Sequence, residues 1–193
     1  MKGNPKINSN PASGRVALPA AVVITGISAA GKSAVAQALA ERIPRSVHLR
    51  GDSFRRMIVN DRADMRPDRQ ESALEQLRLR HRLTAQALDT YVAAGFTVVA
   101  QDVLLGPMLE EILKDIATRP LSVVVLCPSV DSVKAREASR NKVGYADWTV
   151  EELDRRLREQ TPRIGLWLDN SNQTVEQTAD EILRRLSHEC LVS

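Results

Sequence analysis

The sequence predicts an α/β fold, a five-stranded parallel sheet with helices on both faces and a small helical lid. Three observations carry this expectation. Short apolar, β-branched runs alternate with longer segments of helical spacing from residue 20 onward. The strand-like runs are apolar almost throughout instead of alternating, as strands covered on both faces must be. Between the first such run and the first helix stands Gly-Ile-Ser-Ala-Ala-Gly-Lys-Ser, residues 26–33, a glycine-rich turn that opens a helix.

Residues 20–25, Ala-Ala-Val-Val-Ile-Thr, form the first expected strand, and residues 34–40 are good helix formers. Residues 46–50 give a second strand that ends in Gly51-Asp52. A long helix is expected from about residue 68 to residue 94. Leu74, Leu77, Leu88 and Tyr91 keep its helical spacing, Asp68 and Glu71 supply a capping box after Pro67, and Gly95 ends it. Residues 96–102 read as a third strand, followed by a helix opened by Gly106-Pro107. Residues 121–126 are a fourth strand closed by Pro128, and Asp131 starts a helix through Arg140. A polar segment, 141–148, leads to Thr149 and Glu152, a capping box for another helix. Residues 166–169 are the fifth strand, and Thr174 with Gln177 caps the last helix.

Residues 1–18 are rich in Asn, Pro, Ser and Gly and carry no periodicity, so they are expected to be a disordered tail. Residues 19–193 then form one domain, with the lid around 136–160. A formal net charge of +3 gives no electrostatic case for nucleic acid or a membrane as partner. Cys127 and Cys190 are too few and too far apart for a disulfide framework, and Cys127 lies in an apolar run as a buried small hydrophobe. No apolar stretch approaches membrane-spanning length, which makes the cytoplasm the expected location.

The glycine-rich turn has a narrow physical meaning. It is a complete G-x-x-x-x-G-K-[ST] phosphate-binding loop in its required strand–loop–helix setting. Backbone N–H groups of Gly26, Ile27, Ser28, Ala29, Ala30 and Gly31 turn around an anion at a helix N-terminus, and Lys32 neutralises the outer phosphates. Ser33 offers a hydroxyl to a magnesium ion that also touches the phosphates. The chain is expected to bind a nucleoside triphosphate. Ligands of open parallel sheets sit beyond the carboxyl ends of the strands, which selects Asp52, Asp102 and the segment after Cys127 as neighbours of the loop.

These residues carry a family resemblance. The loop at 26–33, Gly51-Asp52-Ser53-Phe54 and Gln101-Asp102-Val103-Leu104-Leu105-Gly106 resemble P-loop small-molecule kinases, with the nucleoside monophosphate kinase-like fold. The likeness is strongest to chloramphenicol phosphotransferase-like proteins, with a second likeness to tunicamycin-resistance proteins across 148–186. It implies ATP and Mg2+ as cofactors and a small-molecule hydroxyl as acceptor.

The resemblance makes Asp52 the group that accepts the proton of the attacking hydroxyl; a helix N-cap is the alternative for the same residue. It makes Asp102 the outer-shell acid of the magnesium site, acting through water, against an exposed strand-end acid. The chloramphenicol kinases have a second acid where this chain has Gln101. Arg136 and Arg140 fall on one helical face, and the resemblance places lid arginines there to meet the transferring phosphoryl group, with Lys142 nearby. A solvated face with Glu137 pairing is the alternative. Arg55, Arg56, Arg69, Arg78 and Arg82 border the acceptor side in such kinases or form a solvated face. His81 is structural or lines the pocket, Trp148 covers a ligand through the lid, and Trp167 belongs to the core.

The function expected is therefore ATP-dependent phosphoryl transfer to a small molecule, with Lys32, Asp52, Arg136 and Arg140 catalytic. The acceptor is an antibiotic, a metabolite or a nucleoside. A ligand-sequestering resistance protein and an NTP-hydrolysing regulator are the rivals from other classes. Monomer and homo-oligomer stay open.

Overall fold

The computed structural model describes residues 18–63, 71–139 and 148–192. The expected tail except Leu18, the Asp68 half of the first capping box, Arg69, Arg140 and Lys142 lie outside the described residues.

The chain runs β1 (Ala21–Thr25), α1 (Lys32–Glu41), β2 (Ser46–Arg50), α2 (Asp52–Arg56), α3 (Glu71–Ala93), β3 (Thr97–Gln101), α4 (Met108–Asp115), β4 (Leu121–Leu126) and α5 (Val130–Ala138). There follow α6 (Val150–Arg155), a π-helical turn (Arg156–Gln160), β5 (Leu166–Leu168), α7 (Val175–Arg185) and β6 (Leu191–Val192). The five expected strands pair in parallel in the order β2-β3-β1-β4-β5. β6 was not legible in the sequence: two residues pair antiparallel with the start of β4, beside the stretch of β4 that β5 covers.

Every residue of β1 and β4 is buried, which explains their nearly continuous apolar sequence; the two polar exceptions, Thr25 and Ser122, bond to Leu104 and Leu186 carbonyls. β2 is an edge strand and only half-buried. Packing joins α1 to α7, and α3 to β2, β3 and α4. Right-handed crossovers place the helix leading leftward, α1, on one face and those leading rightward, α3 and α4, on the other.

Both downstream capping boxes form as expected: Thr149 and Glu152 exchange bonds with each other's backbone, as do Thr174 and Gln177. α5 opens on Ser129, whose hydroxyl accepts from Ser132 N, so Asp131 is in the first turn instead of starting it. Tyr91 keeps the helical spacing yet is exposed, set edge-on to Phe96. Trp167 is half-buried, with the Arg163 guanidinium 3.9 Å over its ring. Trp148 packs on the core's margin under Arg156, 4.2 Å from its ring centre. Cys127 and Cys190 are both buried and free, and burial pushes both thiols up, Cys190 to about 12. Of the lid expected around 136–160, the described parts are the end of α5, α6 and the π-helical turn.

Candidate active site

The loop leaves β1 at Gly26, whose φ of 143° lies in the region that favours glycine; a Cβ there would stand 2.4 Å from the Leu126 carbonyl oxygen. Ala30 N–H donates to Ile27 O at 3.2 Å, and Gly31, with φ 99°, is the cap from which α1 begins. Lys32 is buried and its Nζ donates to Ile27 O at 2.7 Å, so the lysine is folded back along the loop's own backbone. Ser33 is exposed at the first turn of α1. Thr25 below the loop exchanges bonds with Leu104: its Oγ1 donates to Leu104 O and accepts from Leu104 N.

The outer side of the loop is held from the far side of the sheet. Asn170 follows β5, is buried, and donates from Nδ2 to Ala30 O at 3.1 Å. Arg136 of α5 donates from Nη1 to the same oxygen at 3.3 Å, and from Nη2 to Asn170 O at 2.7 Å and Ser171 O at 3.4 Å.

The two acids lie at neighbouring strand ends. Asp52 is the first residue of α2, one place inside the cap position, which Gly51 occupies with helical angles. Its Oδ2 accepts from Arg56 Nε at 2.8 Å and Nη2 at 2.6 Å, and Arg55 Nη1 is 3.6 Å from Oδ1. The N-cap alternative for Asp52 is thereby replaced by an ion pair along the helix. Burial alone would raise its carboxyl, but the Arg56 hydrogen bond and the charges of Arg56, Arg55 and Arg80 hold it below the usual carboxylate range.

Asp102, just past β3, is 5% exposed, so it is not a water-facing strand-end acid. Its Oδ1 accepts from Arg80 Nη2 at 2.9 Å and from Val103 N at 2.7 Å. Its Oδ2 is buried with no hydrogen-bond partner among the described residues. Burial pushes its carboxyl up, opposed by Arg80, the Val103 N–H and Lys32 and assisted by Asp52. Those mutual effects tie Lys32, Asp52, Arg80 and Asp102 into one electrostatic neighbourhood.

Of the expected acceptor-side arginines, Arg55 and Arg56 pair with Asp52, Arg78 stands 3.6 Å from Glu111 and Arg82 is exposed. His81 is buried in α3 with neither ring nitrogen bonded among the described residues, and burial, then the Arg80 charge, lowers it to about 3. Two residues escaped the sequence reading. Arg80 had no local signal, since only the docking of α3 on β3 brings it to Asp102. Asn170 had one: it follows the fifth strand, where the carboxyl-end rule applies to it as it did to Asp52 and Asp102.

The donor set suits magnesium. It is all oxygen, with the Ser33 hydroxyl exposed beside the loop and Asp102 Oδ2 holding unused acceptor capacity. Among the described residues no group of three or more His, Cys, Asp or Glu converges, and magnesium bound through phosphates and water needs none.

Comparison with known proteins bears on the fold and the family. The model of the AAA domain family matches residues 22–163. No curated protein sequence matches the chain. A sugar kinase from Janibacter sp. HTCC2649 has a similar structure, with TM-score 0.65 and 19% identity over 85% of this chain and 92% of that one. The tunicamycin resistance protein of Deinococcus radiodurans gives 0.62 and 20%, over 90% and 98% of the two chains. The APS kinase of Mycobacterium tuberculosis, solved with AMPPNP and APS, gives 0.61 and 18%, over 85% and 95%. At such identities the likeness is one of fold, that of the P-loop kinases. No helix among the described residues is long and apolar enough to cross a membrane.

Proposed function

The chain belongs to the AAA domain family, and from that premise we propose that it is an ATP- and magnesium-dependent kinase acting on a hydroxyl of a small molecule. The observation that carries the reading is the meeting of Lys32, Asp52, Arg80 and Asp102 at the strand ends beside a complete phosphate-binding loop. A phosphate-binding loop alone fits hydrolysis as well as transfer. An ionised carboxylate at the end of β2, two strands from the loop's own strand, is what favours transfer, because it can orient an acceptor O–H.

ATP would supply the phosphoryl group, and magnesium, held by Ser33 and through water by Asp102, would screen its charge. The loop's N–H groups bind the phosphates, and Lys32 exchanges Ile27 O for a phosphate oxygen. Asp52 orients the acceptor hydroxyl and takes its proton as the new O–P bond forms and the bond to the β–γ bridging oxygen breaks. Its depressed pKa keeps it ionised at neutral pH. Arg56 holds Oδ2, so Oδ1 is the oxygen that faces the acceptor once Arg55 gives way. Arg140, which the sequence resemblance gives to a lid, is assigned to the equatorial oxygens of the transferring group. Arg136 joins it only by releasing three carbonyl contacts.

The structural likeness to a tunicamycin resistance protein, with the resemblance of the sequence motifs to chloramphenicol phosphotransferases, favours an antibiotic as acceptor, and the likeness to sugar and APS kinases favours a metabolite. A mass-spectrometric screen of hydroxylated antibiotics, metabolites and nucleosides with ATP and magnesium tests the reading. One product should gain one phosphoryl group and vanish with Lys32→Ala. Asp52→Asn should slow transfer at least about 100-fold with ATP affinity kept. Steady ATP hydrolysis without acceptor, unchanged by Asp52→Asn, would instead identify an NTP-hydrolysing regulator. Protection that survives Asp52→Asn would identify a sequestering protein.

A further inference from the structure

We infer that Arg136 and Asn170 are positioning residues for phosphate binding: they grip the Ala30 carbonyl and so turn the N–H of Gly31 into the loop. The inference rests on the nucleotide-binding reading above and adds the residues that set the loop's shape.

The argument begins with the peptide unit. The Ala30–Gly31 bond is trans, so its C=O and N–H point in opposite directions. Whatever fixes the carbonyl fixes the N–H on the other side. The carbonyl is held twice from outside the loop, by Asn170 Nδ2 at 3.1 Å and Arg136 Nη1 at 3.3 Å. Those donors come from elements 140 and 106 residues away in sequence, so no local turn preference maintains the arrangement.

The brace is closed on itself. The second Nη of Arg136 donates to Asn170 O at 2.7 Å, so one guanidinium spans the loop and the residue that shares its acceptor. A planar fork suits two carbonyls in this way; a lysine donates three N–H bonds from one nitrogen and lacks the two separated nitrogens that Arg136 uses here. Gly31 matters here for a conformational reason, since its φ of 99° allows the peptide to face outward at Ala30 and α1 to start one residue later. A charged donor on the carbonyl also polarises the peptide and strengthens its N–H as a donor. Asn170 is 3% exposed, and its Oδ1 has no hydrogen-bond partner among the described residues; its side chain is held through the Nδ2 bond to Ala30 O.

The experiment uses the full chain labelled with 15N-glycine, with magnesium-ATP and magnesium-tripolyphosphate as separate probes. The variants are Arg136→Met, Arg136→Lys and Asn170→Asp. In the parent protein both probes should bind and move the Gly31 amide proton downfield. Arg136→Met and Asn170→Asp should weaken both probes about tenfold and shrink that shift. Arg136→Lys should restore only part of it. Arg136→Met gives up bonds to three carbonyls from a half-buried side chain, so its unliganded thermal midpoint should fall modestly, and the affinities are compared at a temperature where each variant is fully folded. If Asn170→Asp does not fold, Arg136→Met carries the test alone. Unchanged affinity and an unchanged Gly31 shift overturn the inference. So does a loss confined to ATP, which would assign the two side chains to the nucleoside. If the parent binds neither probe, the nucleotide-binding reading itself fails.

Discussion

Gly51 and Asp102 are packed against each other across neighbouring strand ends: a Cβ on Gly51 would lie 2.2 Å from Asp102 Oδ2 and 3.1 Å from Thr84 Oγ1. Gly51 has ordinary helical angles, so the position demands glycine for space and not for backbone freedom. This contact sets the separation of the two acids, because Asp52 is the next residue.

Gly51→Ala should therefore push Asp102 off its bonds to Arg80 and Val103. Overpacking of this kind costs about 1–3 kcal/mol of stability, readable by urea unfolding. Phosphoryl transfer should fall about 100-fold, as for an ångström-scale displacement at a site of this type. Wild-type transfer in a folded Gly51→Ala protein would mean that Asp102's position is immaterial.

Arg56→Ala should move the acid limb of the transfer rate to higher pH. Burial, the largest single influence, raises the Asp52 carboxyl, and removing the Arg56 hydrogen bond and charge leaves only Arg55 and Arg80 to oppose it, so the carboxyl moves up. The pH profile of the rate checks this. An acid limb that stays in place would show that Asp52 does not govern it.

Lys32→Met should abolish tight nucleotide binding while leaving the fold intact, because the bond it loses goes to a loop carbonyl and not to the core. A loss of at least about tenfold in ATP affinity is expected for a buried charge facing phosphates, measured by fluorescence titration with a labelled nucleotide.

His81→Met should flatten the acid side of the stability curve. The folded-state pKa of His81 is depressed to about 3 from 6.5, so the unfolded chain binds the proton first. Its contribution is present in full above pH 6.5 and is lost as pH falls from there toward 3. His48, lowered to about 4 by burial and then Arg50, acts in the same direction and remains in the variant. Between pH 7 and 4.5 the parent should lose about 2 kcal/mol more than the variant in urea unfolding. Equal losses would mean that His81 is accessible to protons in the folded protein.

What the sequence made legible was local. The loop, both downstream capping boxes and all five parallel strands depend on residues within a few positions of one another, and each is where its pattern implied. Only the cap alternative for Asp52 was too local: Asp before a helix suggests a cap, but Gly51 already has helical angles, so the carboxylate turns to Arg56. The Arg80–Asp102 pair was illegible because it depends on how α3 docks on β3; the place of Asn170 after β5 was readable, but its bond to Ala30 depends on which strand lies beside which. The edge strand β6 is two residues long, too short for any period to register.

The strand order has a consequence for how such a protein can diverge. β1, with the loop at its tip, is the middle strand; Asp52 and Asp102 hang from the strands on one side of it, Asn170 and α5 from those on the other. On the reading proposed above, the two carboxylates of the transfer step and the residues that brace the phosphate-binding loop occupy separate wings joined by one strand. Replacing the stretch from β2 through α3 would retarget the chemistry and leave the nucleotide wing untouched. A chimera carrying that stretch from another kinase of this fold is the natural way to exchange one acceptor for another.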